Sequence, residues 1–378
     1  MNYELSDELK MIRDTARNFT EKEVMPLAED IEEKDEHPSG MYKKMGELGF
    51  TSVLFPQEYG GSNVGHLALA IIQEELARGS SAVASALFEG VYFCHPIALY
   101  GTKEQKKQFI PPLCKGEYTF ALGATEPNAG SDLAAIRTTA KMENGNFRIN
   151  GQKMFCTNAE VAERIVLAAR TDKDAAPHKG ISFILLDPKT KGVDIRKIRK
   201  LGNKGSRSNE VFLDDVIISQ ENLLGELNSG FKYIMDTLDA GRIGIASIAL
   251  GTAQIAYEYA LKYAQERVQF GKPIGKNQGI SFKLADMAME IEAARQLVYK
   301  AAWLLDNNKP CIKETSFAKL FATEVSERVC RNAIQIFGGV GYTMEFPLQR
   351  FYRDTRLWLI GEGASEIQRI VISKQLGL

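Results

Sequence analysis

The chain of 378 residues is short of the parts that most chemistry needs. Its five cysteines (Cys94, Cys114, Cys156, Cys311, Cys330) are scattered, odd in number and never spaced as CxxC. That excludes a disulfide framework and argues for reduced, mostly buried thiols in a cytosol-like compartment. His37, His66, His95 and His178 are equally dispersed, with no HExxH run and no Cys/His spacing, so no dedicated metal site is expected. There is no GxSxG elbow. The formal net charge is −1, which removes any global attraction to nucleic acid or to an anionic membrane. No apolar run approaches the length of a bilayer span, so membrane insertion is not expected. The opening Met1-Asn2-Tyr3-Glu4-Leu5 runs straight into an acidic amphipathic stretch, unlike a signal or transit peptide. The expected compartment is cytoplasmic, or an organelle matrix for a mature form. No repeat or low-complexity tract is visible. Whatever chemistry occurs here is expected to use a borrowed organic cofactor.

What is present is ample core material, 44% hydrophobic against 25% charged, enough for two or three compact units. The first third reads as helices. Ser6 is a good N-cap ahead of Leu9, Ile12, Ala16 and Phe19 at helical spacing, and 41–48, 67–76 and 103–109 behave alike. Breaks fall at His37-Pro38, at 56–61 and at Gly101-Thr102. Near residue 119 the period changes. Segments 138–142 and 146–150 flank Glu143-Asn144-Gly145 as a hairpin, and 165–170, 181–186 and 210–213 read as further short strands. Long helices return from about Gly230, at 240–268 and 280–306, with Leu284, Met287, Ile291, Ala294, Leu297 and Val298 on one stripe. The expected fold is mixed α and β: an N-terminal helical domain (1–118), a central β domain (119–229) and a C-terminal helical bundle (230–378). Crevices at such junctions are where cofactor sites often lie.

Two local patterns bear on chemistry. Glu362 stands between Gly361 and Gly363 just ahead of a helical segment, where bare backbone lets a flat cofactor or a thioester approach closely. Taken alone it reads first as a loop acid near a helix start, where negative charge is favourable anyway. The second pattern is 120–132, Phe-Ala-Leu-Gly-Ala-Thr-Glu-Pro-Asn-Ala-Gly-Ser-Asp, a loop rich in hydroxyls and backbone N–H donors suited to a flat heterocycle or a pyrophosphate. A simple turn cluster is the alternative.

Together these resemble the acyl-CoA dehydrogenase family, and the resemblance extends over almost the entire chain. It runs through 101–105, the 120–132 loop, 150–158, Lys200-Leu201-Gly202 with 212–216, Asp239-Ala240-Gly241-Arg242, 267–271, 335–339 and Glu362-Gly363. What the resemblance implies is an N-terminal α domain, a central β domain and a C-terminal four-helix bundle, assembled as a homotetramer. It implies FAD shared across a subunit interface, an acyl-CoA thioester as substrate and an electron-transfer flavoprotein as electron partner. By motif match, Leu122, Ala124, Thr125, Gly130, Ser131, Phe155 and Thr157 would contact the flavin. Arg267, Phe270, Asn277, Gln278, Gln335, Gly338 and Gly339 would receive the rest of an FAD from the partner chain. Ala364 and Glu366 would approach the cofactor of their own subunit. Ser131, Asp239 and Arg242 match positions that contact the CoA part of the substrate.

Some of these residues keep a second reading. Phe155 and Phe270 could be core aromatics, and Arg242 could be an interior ion-pair partner of Asp239 at i,i+3. The Gly338-Gly339-Val340-Gly341 run lacks a surrounding βαβ unit, so a Rossmann role is rejected.

The resemblance also implies a mechanism. Flavin N5 accepts hydride from the β-carbon while Glu362 takes the α-proton, and the base's own N–H and a ribityl hydroxyl steady the enolate oxygen. The chain departs from the commonest family pattern at Gly361, where many straight-chain enzymes carry tyrosine, and at Ala364, where they carry threonine. Loss of the ring should leave room beside the reacting carbons, for a branched, alicyclic or otherwise bulky short-to-medium acyl group. Some branched-chain members share that glycine but place the base just before the arginine that matches Arg242; here that residue is Gly241. Gly363 lets the thioester oxygen approach the main chain. Glu89 aligns with the far end of the acyl pocket, with an exposed helix acid as the alternative. The same site run in reverse would be an enoyl-CoA reductase. A non-catalytic, DNA-associated FAD protein is disfavoured by the nearly neutral charge and the absence of a basic extension.

Overall fold

The computed structural model describes residues 4–378; Met1-Asn2-Tyr3 of the N-terminal reading lie outside the described residues. The chain begins with helices α1 (Asp7–Phe19), α2 (Ala28–Lys34), α3 (Ser39–Glu47), α4 (His66–Gly79), α5 (Ser81–Tyr100) and α6 (Lys103–Cys114). Ser6 caps α1 by accepting from the Leu9 N–H, and Thr102 and Gln105 form a reciprocal capping box on α6.

Helix α5 corrects the reading that no apolar run reaches membrane-span length. It is 20 residues long and apolar enough to cross a bilayer by length and composition. It is instead a core helix, 83% buried within its apolar window and packed on α4, α6 and the later bundle. Because it is covered on every side it shows no hydrophobic stripe, and period-based reading passes over it.

The central layer is an eight-stranded sheet. Its strands are β1 (Phe120–Gly123), β2 (Thr139–Glu143), β3 (Asn146–Thr157), β4 (Arg164–Arg170), β5 (Ile181–Leu186), β6 (Val193–Lys197), β7 (Ser208–Ser219) and β8 (Leu223–Leu224). Their order is β6-β7-β3-β2-β4-β5-β8, with β1 alongside β4 in parallel. The β2–β3 hairpin turns at Asn144 (φ 50°) and Gly145 (φ 77°), both left-handed, as a two-residue turn between right-twisted strands requires. Phe120–Gly123, read as the start of a loop, is a strand; β6 was not foreseen, and 210–213 is only the middle of β7.

The bundle holds α7 (Gly230–Glu266), α8 (Gln278–Asp306) and α9 (Ile312–Phe337), then α10 (Leu348–Trp358) and α11 (Ser365–Gln375). Helix α7 begins about ten residues before the expected Ala240 and ends at Glu266, while Val268 enters a two-stranded ribbon of β9 (Val268–Gln269) and β10 (Lys272–Pro273). The stripe read on α8 is buried at Leu284, Met287, Ile291, Ala294 and Val298, packed on α7 and α9. One buried carboxylate ties the layers together. Asp354 on α10 accepts from the Ser81 hydroxyl on α5 and from the Asn203 N–H in the β region, which sets α10, and the connection after it, against both.

Candidate functional site

Glu362 lies in the short connection between α10 and α11. Its φ is 53° and that of Gly363 is 87°, so two successive residues are left-handed, a costly choice for a glutamate. Neighbours hold it there. The Gln368 amide nitrogen, Nε2, donates to the Glu362 carbonyl (3.1 Å) and the Gly363 carbonyl (2.9 Å), and Lys319 Nζ donates to the Gly363 carbonyl at 2.8 Å. A Cβ on Gly363 would come within 2.8 Å of that Gln368 nitrogen, so glycine is required both by φ and by space. Gly361 differs. Its φ is outside the left-handed region, and a Cβ there would meet only the Leu357 carbonyl, at 3.6 Å. The missing side chain at 361 therefore leaves room and serves no turn.

The Glu362 carboxylate faces α7. A Cβ built on Gly241 would lie 3.2 Å from Glu362 Oε2 and 3.5 Å from Phe88 Cζ. The residue before Arg242 thus adjoins the same carboxylate, so a side chain at 241 would reach the place that the Glu362 carboxylate occupies. Burial pushes the Glu362 carboxyl up to about 7, opposed by the positive charges of Lys319 and Arg242. Arg242 is buried and paired to Asp239 at i,i+3, with Ser316 Oγ 3.4 Å away and its Nε without a partner. The ion-pair reading of that spacing is the one the structure displays. Glu362's own N–H donates to no protein acceptor among the described residues.

Glu89 is not an exposed helix acid; it is 5% exposed and buried between α5 and the sheet. Its oxygens accept from Ser206 Oγ (2.8 Å) and from the Asn158 side-chain amide, so neither is left free for a polar tail of a ligand. Burial raises its carboxyl to about 8, against Ser206, Lys200 and Asn158. Its neighbour Phe88, with Tyr92, packs against α7. A Cβ on Gly244 would lie 2.6 Å from Phe88 Cδ2 and 2.7 Å from Tyr92 Cε2, so both rings occupy the groove that Gly244 leaves on α7. Sequence reasoning missed this wall. Its only trace was a glycine pair at i,i+3 on one helix and an aromatic pair at i,i+4 on another.

The 120–132 segment is organised by a buried ion pair that was also missed. Glu126 accepts from Lys153 Nζ (2.7 Å), from the Arg137 N–H (2.6 Å) and from the Thr138 N–H (2.9 Å), and Lys153 also reaches the Ala124 carbonyl at 3.3 Å. Lys153 has no accessible surface and Glu126 is 4% exposed. The pair pins the loop to β3, leaving the N–H groups of Thr125, Gly130 and Ser131 without protein acceptors among the described residues. Gly130 has open space where a Cβ would stand. Beyond Lys153 the β3–β7 register slips, Phe155 turns left-handed (φ 53°), and its ring is 58% exposed beside Thr157. The core-aromatic reading of Phe155 is therefore wrong. Leu122, Ala124, Thr125, Ser131, Phe155 and Thr157 gather at this edge of the sheet.

A second group gathers elsewhere. Arg267, Phe270, Asn277, Gln278, Gln335, Gly338 and Gly339 collect where α7 and α9 end and α8 begins, joined by the Ile274 N–H to Arg267 carbonyl bond (2.8 Å) and the stacked Tyr263 and Phe337 rings. Phe270 is 97% exposed with φ 51°, which overturns its core reading too, and Gly338 and Gly339 have nothing near an added Cβ. Gly241, beside the Glu362 carboxylate, and Arg267, just past the end of α7, are about 40 Å apart at 1.5 Å per residue. Ala364 is half-buried at the start of α11 and Glu366 is exposed; Ser365 Oγ beside them is buried without a partner. Unclaimed donors, bare glycine backbone and outward-held rings fit a flat, elongated cofactor with phosphate groups.

Comparison with known proteins gives the same picture. Three family models cover the chain: the acyl-CoA dehydrogenase N-terminal domain over residues 6–117, the middle domain over 121–216 and the C-terminal domain over 228–377. The chain is 44% identical to the probable acyl-CoA dehydrogenase YngJ of Bacillus subtilis (strain 168), covering 100% of both chains. It is 40% identical to the 3-(aryl)acrylate reductase of Clostridium sporogenes (strain ATCC 15579), over 98% of this chain and 99% of that one. Its fold matches the solved butyryl-CoA dehydrogenase of Megasphaera elsdenii with a TM-score of 0.97, at 40% identity and full coverage of both chains.

Proposed function

The chain belongs to the acyl-CoA dehydrogenase family, FAD-dependent oxidoreductases acting on CH–CH bonds, and we propose that it removes the α and β hydrogens of a branched, alicyclic or otherwise bulky acyl-CoA with Glu362 as base. The observation that carries the substrate class is Gly361. It needs no special backbone conformation, and the space in front of it is open, while Phe88 and Tyr92 fill the space at Gly244 on α7. In this reading the acyl pocket would be wide beside the reacting carbons. The likeness to a reductase named for an aryl substrate favours a bulky group, and also favours the reductive direction as the second reading.

FAD, when bound, supplies the acceptor for the β-hydrogen as hydride. The residues of this chain do the remainder. Thr125, Gly130 and Ser131 offer N–H donors, and Phe155 and Thr157 flank the same edge. Asp239 and Arg242 would hold the CoA portion. Glu362 in its ionised form takes the α-proton; its raised affinity for protons narrows the gap to the carbon acid. Its unpaired N–H is a donor for the thioester oxygen as negative charge grows there. Electrons then pass to an electron-transfer flavoprotein.

Two expected results follow from this reading. Gly361→Tyr suppresses kcat/KM on isobutyryl- and cyclohexanecarboxyl-CoA by tenfold or more while sparing butyryl-CoA, since filling a methylene-sized space is worth ~1–3 kcal/mol. A wild type that prefers the linear thioester, or a variant equally impaired on all, refutes the widened pocket. The length of α7 between the Glu362 end and Arg267 favours a cofactor shared with a partner chain in a homotetramer. Substituting Arg267 or Gln335 should then weaken flavin retention and assembly together, because both are linked by mass action. Sedimentation and flavin absorbance measure this; flavin lost from an unaltered oligomer counts against a shared site.

A further inference from the structure

Lys319 is a buried lysine without an acid of its own. It stands on α9 with no accessible surface, among Ala318, Ala322 and Val325 of the bundle core. It forms no ion pair among the described residues, and its side-chain hydrogen bond goes to the Gly363 carbonyl, 44 residues away, at 2.8 Å. Taking an ammonium out of water costs several kcal/mol unless other groups compensate. Burial lowers Lys319 to about 8, and the nearest compensating influence is Glu362.

The charged groups around that carboxylate can be enumerated by element. From α9 comes Lys319, from α7 comes Arg242, and from α5 comes Glu89. Arg242 is already paired with Asp239, and Glu89 is tied to Ser206 and Asn158. Around Lys319 itself stand Glu362, Arg242, Glu366 and Glu324. Glu324 is held by Arg369 and Glu366 is exposed, so the positive charge of Lys319 is directed chiefly at Glu362.

We infer that Lys319 is the positioning residue of the candidate base: its ammonium clamps the Gly363 carbonyl, holding the left-handed Glu362–Gly363 pair toward α7, and presents the Glu362 carboxylate with a positive charge that no dedicated acid neutralises. The inference rests on the reading of Glu362 as base. Without Lys319 the Glu362 and Gly363 carbonyls keep only the Gln368 amide as side-chain donor, and the carboxylate gains protons more readily at neutral pH. An opposite charge close to a carboxyl lowers its pKa, so removing that charge raises it. Activity needs the ionised form, and the acid limb of the rate profile must therefore move to higher pH.

The test is the pH dependence of flavin bleaching by an acyl-CoA substrate in the FAD-loaded enzyme. Lys319→Met, apolar and of similar length, is expected to move the midpoint of the acid limb up by about one pH unit. At pH 7 the rate falls about fivefold from this shift alone, with flavin retained and part of the loss recovered at higher pH. Lys319→Gln keeps a donor for the Gly363 carbonyl without the charge. It should show the same midpoint shift with a smaller loss on the plateau, and it carries the test if the Met variant does not accumulate as a yellow protein. A wild-type midpoint in a folded, FAD-loaded variant, with only thermal stability reduced, overturns the inference. Glu362→Gln separates the two ideas. Retained turnover there removes the base assignment, whereas an inactive Glu362→Gln beside unshifted Lys319 variants removes only the role of Lys319.

Discussion

Glu362→Gln loses most of its turnover while keeping its fold and its flavin. The amide has the shape of the acid, so the left-handed connection, its bonds from Gln368 and Lys319, and the packing against Gly241 and Phe88 all remain. Only the proton acceptor is gone. Removal of a general base commonly costs ~10²–10⁴ in rate, and the full range is expected here because no other carboxylate can take over. Glu89 has both oxygens bonded to Asn158 and Ser206, and Asp239 is committed to Arg242. Gly241, adjacent to the carboxylate, brings no acid of its own. Stopped-flow bleaching of the flavin with saturating acyl-CoA reads the effect directly. Reduction within about tenfold of the wild-type rate would place the base elsewhere.

The largest effect on stability is expected at Lys153→Met. Breaking a fully buried ion pair by removing one partner costs ~3–5 kcal/mol, since the remaining charge is stranded. Here the stranded group is Glu126, left with the Arg137 and Thr138 N–H groups alone. Burial alone would raise the Glu126 carboxyl, but Lys153 and those N–H donors outweigh it and hold it below the usual glutamate range. The sign follows: this stabilisation is present above the unfolded value of about 4.3 and is lost as pH falls through the lower folded value. Chemical denaturation of wild type and variant should therefore differ most near neutral pH and converge in acid. Lys153→Met with Glu126→Gln should recover part of the loss. Because the pair shapes 120–132, the single variant should also hold flavin more weakly. A loss under about 1 kcal/mol, the scale of an exposed pair, would show that the pair is not the loop's anchor.

Gly361-Glu362-Gly363 and the Asn144-Gly145 turn were legible in the chain because their physics is local. A left-handed pair of residues asks for asparagine and glycine whatever the surroundings, and an acid between two glycines advertises bare backbone by itself. The stripe on α8 was legible for the same reason, as one face is buried and the others are not. Amphipathic elements and turn residues, and through them the order of helices, strands and helices, are thus written in short stretches of sequence. Helix α5 was not legible, because burial from all sides erases the period that identifies a helix. Nor were Lys153, Lys319, Phe88 or the bonded state of Glu89. Lys319 reads as an ordinary helical lysine until α9 is laid beside a connection 44 residues later, and Lys153 until β3 is laid beside Glu126, 27 residues earlier. Which groups lose water, and which charge then faces which, depends on contacts between distant segments. Tertiary packing alone decides that, since the cost of a buried charge is set by everything around it and not by its neighbours in the chain.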